Sequence, residues 1–193
     1  MEYYLVLAKS KIKIMKNLLT LTTLIITMVC FTETNAQKFD GLDKSPMDMA
    51  TYPSSYKEPV KVVRVTYSRP QLKGRSLSQL APNGKVWRTG ANEAPEITFY
   101  KDVNFGGKPV KAGTYALFTI PGEKEWTFIL NSNLNQWGAY SYDKAADVVR
   151  VNGSVSTNGE SLDAFSIAFD EANGGATMLM GWDKARASLP ITF

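Results

Sequence analysis

The chain has 193 residues with one cysteine, Cys30, no histidine, and a formal net charge of +4. A Cys/His zinc site, a Ser-His-Asp triad, a Cys-His pair and a histidine pH switch are therefore excluded. Any catalysis would fall to carboxylates, Lys, Tyr, Ser or Thr.

Residues 1–36 read as a secretory signal peptide with an upstream extension. Met15-Lys16-Asn17 supplies a charged start, Leu18 to Phe31 an apolar centre, and Thr34-Asn35-Ala36 a small-residue cleavage site. The apolar run is too short and too threonine-rich for a permanent span. Lipidation of Cys30 is disfavoured, because Val29 precedes it where a small residue is wanted. Cleavage near Ala36 is expected, giving a periplasmic or secreted protein with no permanent membrane span. The alternative is an uncleaved N-terminal anchor. The 157 residues that follow Ala36 contain no cysteine and suffice for one domain held by its core. They carry a net +2, unevenly spread: Lys61 to Asn92 holds seven basic residues and no acid, and the rest sums to −5.

Residues 37–59 are polar and carry Pro46, Pro53 and Pro59, which predicts a flexible leader. From residue 60 to 193 the pattern is that of a single β domain. Val63, Val65 and Tyr67 alternate with polar neighbours, and so do Ile97 and Phe99. Trp126, Phe128 and Leu130 share one face, as do Phe165, Ile167 and Phe169, and Met178, Met180 and Trp182. Tyr115 and Leu117 face one way and Ala116 and Phe118 the other. Gly106-Gly107, Pro121-Gly122 and Asn173-Gly174-Gly175 are placed for tight turns. Ser76 to Ala81 and Asn135 to Ala146 are the two places for a short helical turn. The last strand, from Ala185, contains Pro190 and is expected at an edge. The fold class is thus all-β, an antiparallel β-sandwich or jelly-roll-like barrel with one or two helical turns.

Longer strings are more specific. Val65 to Pro70, Lys73-Gly74-Arg75, Gly84 to Glu93, Ala112 to Tyr115, Phe118 to Gly122, Glu125-Trp126 and Gln136 to Tyr140 resemble an uncharacterised family, domain of unknown function 2911. The resemblance runs from about Val60 to the C-terminus. It implies a small exported β-rich protein of Gram-negative type, without the helical-repeat extension that some members carry. It implies no activity.

The loop-like stretch Arg69 to Glu93 is the leading site candidate. It gathers Arg69, Lys73, Arg75, Lys85 and Arg88 around Trp87, Asn92 and Glu93. Guanidinium groups bind oxyanions in a two-pronged fashion, and tryptophan can stack on a sugar. The same arginines can equally pin the loop to carbonyls and acids, with Trp87 as a core plug. Trp137 and Tyr140 form a second candidate, either a carbohydrate platform or an aromatic lid. Asn131, Asn133 and Asn135 lack a carboxylate among them and read as Asx turns rather than a calcium loop. Glu93 and Glu96 flank Pro95, and two such acids across a cleft are what a glycoside hydrolase uses; Glu93 is the one catalytic candidate. No metal site, cofactor or nucleic-acid motif is indicated, and oligomeric state is not legible. The expected function is a non-enzymatic binding module for a small anionic or carbohydrate-like ligand. A carboxylate-dependent hydrolase and a structural envelope protein are the alternatives.

Overall fold

The structure, a computed structural model, describes residues 1–30 and 37–193. It divides into two units, Met1–Gly41 and Leu42–Phe193. In the first, helix α1 spans Glu2–Cys30. Among the described residues no helix is long and apolar enough to cross a membrane. The expected cleavage sequence Thr34-Asn35-Ala36 lies outside the described residues.

The second unit contains eleven strands: β1 (Met47–Tyr52), β2 (Val63–Ser68), β3 (Glu96–Phe99), β4 (Val103–Phe105), β5 (Lys108–Val110), β6 (Gly113–Ile120), β7 (Glu125–Asn131), β8 (Asp147–Ser156), β9 (Leu162–Ala172), β10 (Gly175–Asp183) and β11 (Ala185–Thr192). The two helical turns are α2 (Leu77–Leu80) and a 3₁₀ turn at Lys144–Ala146. At the start of α2, Gln79 Oε1 accepts from the Ser76 amide at 2.9 Å.

All ladders are antiparallel, and the strands run in the order β1-β2-β3-β6-β7-β8-β11-β10-β9. β1 returns beside β9, so the barrel, the second of the two predicted arrangements, is the one formed, and it is nearly closed. The short hairpin β4–β5 attaches to β11. Its turn, Gly106-Gly107, has φ of 57° and 83°, which two glycines supply without a Cβ clash.

Two expectations are corrected. Met47–Tyr52 lies inside the stretch read as a flexible leader, yet it pairs with all of β2, and Ala50 and Tyr52 pack on the core. β11 is not an edge. β10 flanks it throughout, while Arg186–Ser188 pair with β8 and Ile191–Thr192 with β4. The Pro190 carbonyl accepts from the Gly106 amide, so its ring nitrogen points to that same side, away from β10. The missing donor therefore falls where β11 changes partners.

The inward side chains form one large core. Trp87 stacks on Trp182 at 5.4 Å and meets Phe165 and Trp126 edge-on. A second, smaller core lies on the other face of β6 and β7. There Phe118 and Ile129, opposite each other in the ladder, are buried with Ala94 and Ala116 beneath Val86, Leu134, Ala139 and Tyr142. β6 and β7 are thus covered on both faces, and the outer cover consists of loops. These loops carry the site candidates.

Candidate functional site

Trp87 exchanges two backbone hydrogen bonds with Thr119, and the Leu117 amide donates to the Pro95 carbonyl. The chain therefore leaves β6 at Trp87 and returns at Pro95, and residues 88–94 form an excursion anchored at both ends. Thr89 is fully buried with φ of 61°, unusual for a β-branched residue, and its hydroxyl bonds that of Thr119 at 3.1 Å. Asn92 has φ of 58°. In the facing loop, Asn135 and Gly138 also have positive φ, at 57° and 68°. Asn and Gly take this conformation readily, so Thr89 is the strained residue of the four, and strain of that kind concentrates at functional sites.

The two loops pair. The Ala94 amide donates to Gln136 O at 2.8 Å and the Gly138 amide to Asn92 O at 2.9 Å. These bonds flank the bridge between Glu93 and Trp137. They make it a pair not itself hydrogen-bonded, the kind in which opposite Cα atoms lie about 4.5 Å apart and side chains are closest. Opposite residues project to one face, so the Glu93 and Trp137 side chains leave the loops on the same side. Both are exposed, Trp137 by 61% and Tyr140 nearby by 85%. Gly138 belongs to this assembly. A Cβ there would stand 2.8 Å from the Tyr140 ring and 3.5 Å from Arg88 Nη1.

A polar network holds the second loop in place. Asp147 accepts from Arg150 Nε and from the Tyr142 hydroxyl, both at 2.6 Å, and from Asn131 Nδ2 at 2.8 Å. Burial, followed by the Asp147 carboxylate, pushes the Tyr142 phenol above its ordinary pKa. Asn131 Oδ1 accepts from the Asn133 amide at 2.9 Å, an Asx turn. Sequence reading missed this network, although Tyr, Asp and Arg at one loop exit are a usable signal.

The predicted residues separate. Arg88, Asn92, Glu93, Trp137 and Tyr140 come together. The Asn92 side chain is engaged with Asp43, whose carboxyl is held below its ordinary range, first by the Ser45 amide and then by Asn92. Trp87 is 6% exposed and belongs to the core, because its backbone is bound against β6 with the ring turned inward. Arg69 belongs to the barrel seam. It donates to Phe165 O, Ser166 Oγ and Asp48 Oδ2 at 3.0, 2.7 and 3.0 Å. Its guanidinium is filled by the protein, so it is scaffold. Lys85 is exposed and away from these contacts.

Lys73 and Arg75 line a different cavity of about 350 Å³, with Lys44, Ser45, Pro70 and Gln71. Arg75 is fixed there by donating to Leu72 O and Gln71 O. Glu93 and Glu96 both line a cavity of about 260 Å³ beside Tyr67 and Ser68, where Glu96 Oε1 accepts from the Asn135 amide at 3.2 Å. Among the described residues, no group of three or more Cys, Asp or Glu side chains is placed to hold a metal ion.

A family model described as "Protein of unknown function (DUF2911)" matches residues 45–191, and the chain belongs to that family. No curated protein matches the chain, and no solved structure does.

Proposed function

We propose that this DUF2911 member is an exported, non-enzymatic binding module for a carbohydrate-like ligand, held on the face made by Trp137, Tyr140 and Glu93. The Glu93–Trp137 pair carries the reading. An exposed indole offers a flat apolar surface to a sugar ring, and a carboxylate on the same face accepts its hydroxyl hydrogens. Tyr140 adds a second ring. The pair is carried on loops, and the second core beneath them supports it.

Calorimetric titration with a panel of neutral and acidic oligosaccharides tests this on the parent protein and Trp137→Ala. Binding by the parent that disappears in the variant, with an unchanged melting temperature, supports it. Equal binding by both proteins, or no binding to any member of the panel, rejects it. For export, sequencing the protein recovered from outside the cytoplasm should give an N-terminus near Gln37. A retained Met15 in a membrane fraction would reject that part.

One observation favours a second reading. Glu93 and Glu96 line the same cavity, and paired acids hydrolyse glycosides. The bond from Asn135 to Glu96 ties up one of those oxygens and weighs against it. Release of reducing ends by the parent but not by Glu93→Gln would turn the choice.

A further inference from the structure

We propose that the ligand of this site is an acidic sugar whose carboxylate is received by Arg88; the inference rests on the carbohydrate reading of the Trp137 face. The half-buried arginines Arg69, Arg150 and Arg186 each donate to two or more acceptors. Arg88 is also half-buried, yet it makes no hydrogen bond or ion pair with any described residue. Its Nε is sealed from solvent without a partner. The terminal nitrogens are not sealed, and Nη1 lies by Gly138 and the Tyr140 ring.

Nε has lost water without compensation, while Nη1 and Nη2 stay open to an incoming acceptor. With no protein acceptor in the way, an oxyanion can meet Nη1 and Nη2 together in the two-pronged geometry that arginine favours. The neighbouring rings suit a sugar, and a uronic acid carries its carboxylate on the ring that would stack. The two charges then divide the work: Glu93 takes hydroxyl hydrogens, and Arg88 takes the carboxylate. Gly138 leaves the approach open, since a Cβ there would sit against Nη1.

The experiment titrates trimers of galacturonate and glucuronate, and the neutral trimers of galactose and glucose, into the parent, Arg88→Gln and Trp137→Ala. The parent should prefer an acidic trimer to its neutral counterpart by about tenfold or more. Arg88→Gln should bring acidic binding down to the neutral level and leave neutral binding alone. Equal affinity of the parent for both kinds, or acidic binding that survives Arg88→Gln, overturns the carboxylate inference and leaves the carbohydrate reading standing. Acidic binding lost in Arg88→Gln but kept in Trp137→Ala removes the sugar platform and leaves an anion site. No binding of any trimer overturns both.

Discussion

The hydroxyl of Tyr67 accepts a hydrogen bond from the Ile167 amide at 2.9 Å and donates to the Ile167 carbonyl at 3.4 Å. Tyr67 is on β2 and Ile167 on β9, two strands that share no ladder. One phenol thus serves both backbone groups of a residue on the open side of the sheet. Arg69 serves the Phe165 carbonyl, and the Leu72 and Phe165 amides complete the seam by donating to Asp163 O and Pro70 O. The barrel closes through side chains and a short loop where strand pairing stops.

Tyr67→Phe should therefore destabilise the fold by about 1–3 kcal/mol, because the buried Ile167 amide loses its acceptor while the ring remains to fill the core. Urea unfolding of parent and variant measures it. A difference near zero would mean that the seam does not depend on this phenol.

Stability should fall as the solution becomes alkaline. Burial raises the Tyr67 phenol above its ordinary value, and it raises Tyr52 and Tyr142 as well. A raised folded-state pKa means that the unfolded chain gives up its protons first. The contribution is complete below the unfolded value of about 10 and is lost as pH rises from there through the folded value. Melting curves across this range should show a shallower alkaline decline for Tyr67→Phe than for the parent, with Tyr52, Tyr142 and the Asp102-paired Lys111 contributing to what remains.

Arg69→Ala and Arg88→Ala should differ sharply, although both remove an arginine from one segment. The first leaves Phe165 O, Ser166 and Asp48 without their donor and should cost about 1–3 kcal/mol; the partly exposed Asp48 pair contributes the smallest share. The second breaks no hydrogen bond and should leave the unfolding midpoint close to that of the parent. Similar losses for both would contradict the division into scaffold and site.

Gly138→Ala should damage the site and the loop together. The residue has φ of 68°, and a Cβ would press on the Tyr140 ring. Placing an L-residue in that conformation costs about 1–2 kcal/mol. The midpoint should drop accordingly, and tryptophan emission, with Trp137 the exposed indole, should report a displaced loop. An unchanged midpoint would show that the loop yields without strain.

The sequence by itself determined β2, β3, β6, β7, β9, β10 and β11, their inward faces and the main turns, because alternation and turn chemistry are local properties of the chain; β8 was not among them. It determined the family, and it brought the right residue types for a site into view. Tertiary structure decided the rest. Trp87 and Trp137 look alike as isolated indoles in loop-like surroundings, but backbone bonds to Thr119 turn the first inward, and pairing with Glu93 leaves the second outside. Arg69 and Arg88 are chemically identical, and only the distant acceptors on β1 and β9 separate the filled guanidinium from the empty one. Met47–Tyr52 carries leader-like composition and becomes a strand because β2 offers it an unpaired edge. Pro190 signals an edge by the rule for a lone strand, yet its missing donor falls at a change of partners inside the sheet. In each case the deciding contact joins residues far apart along the chain, and no local pattern encodes which of them will meet.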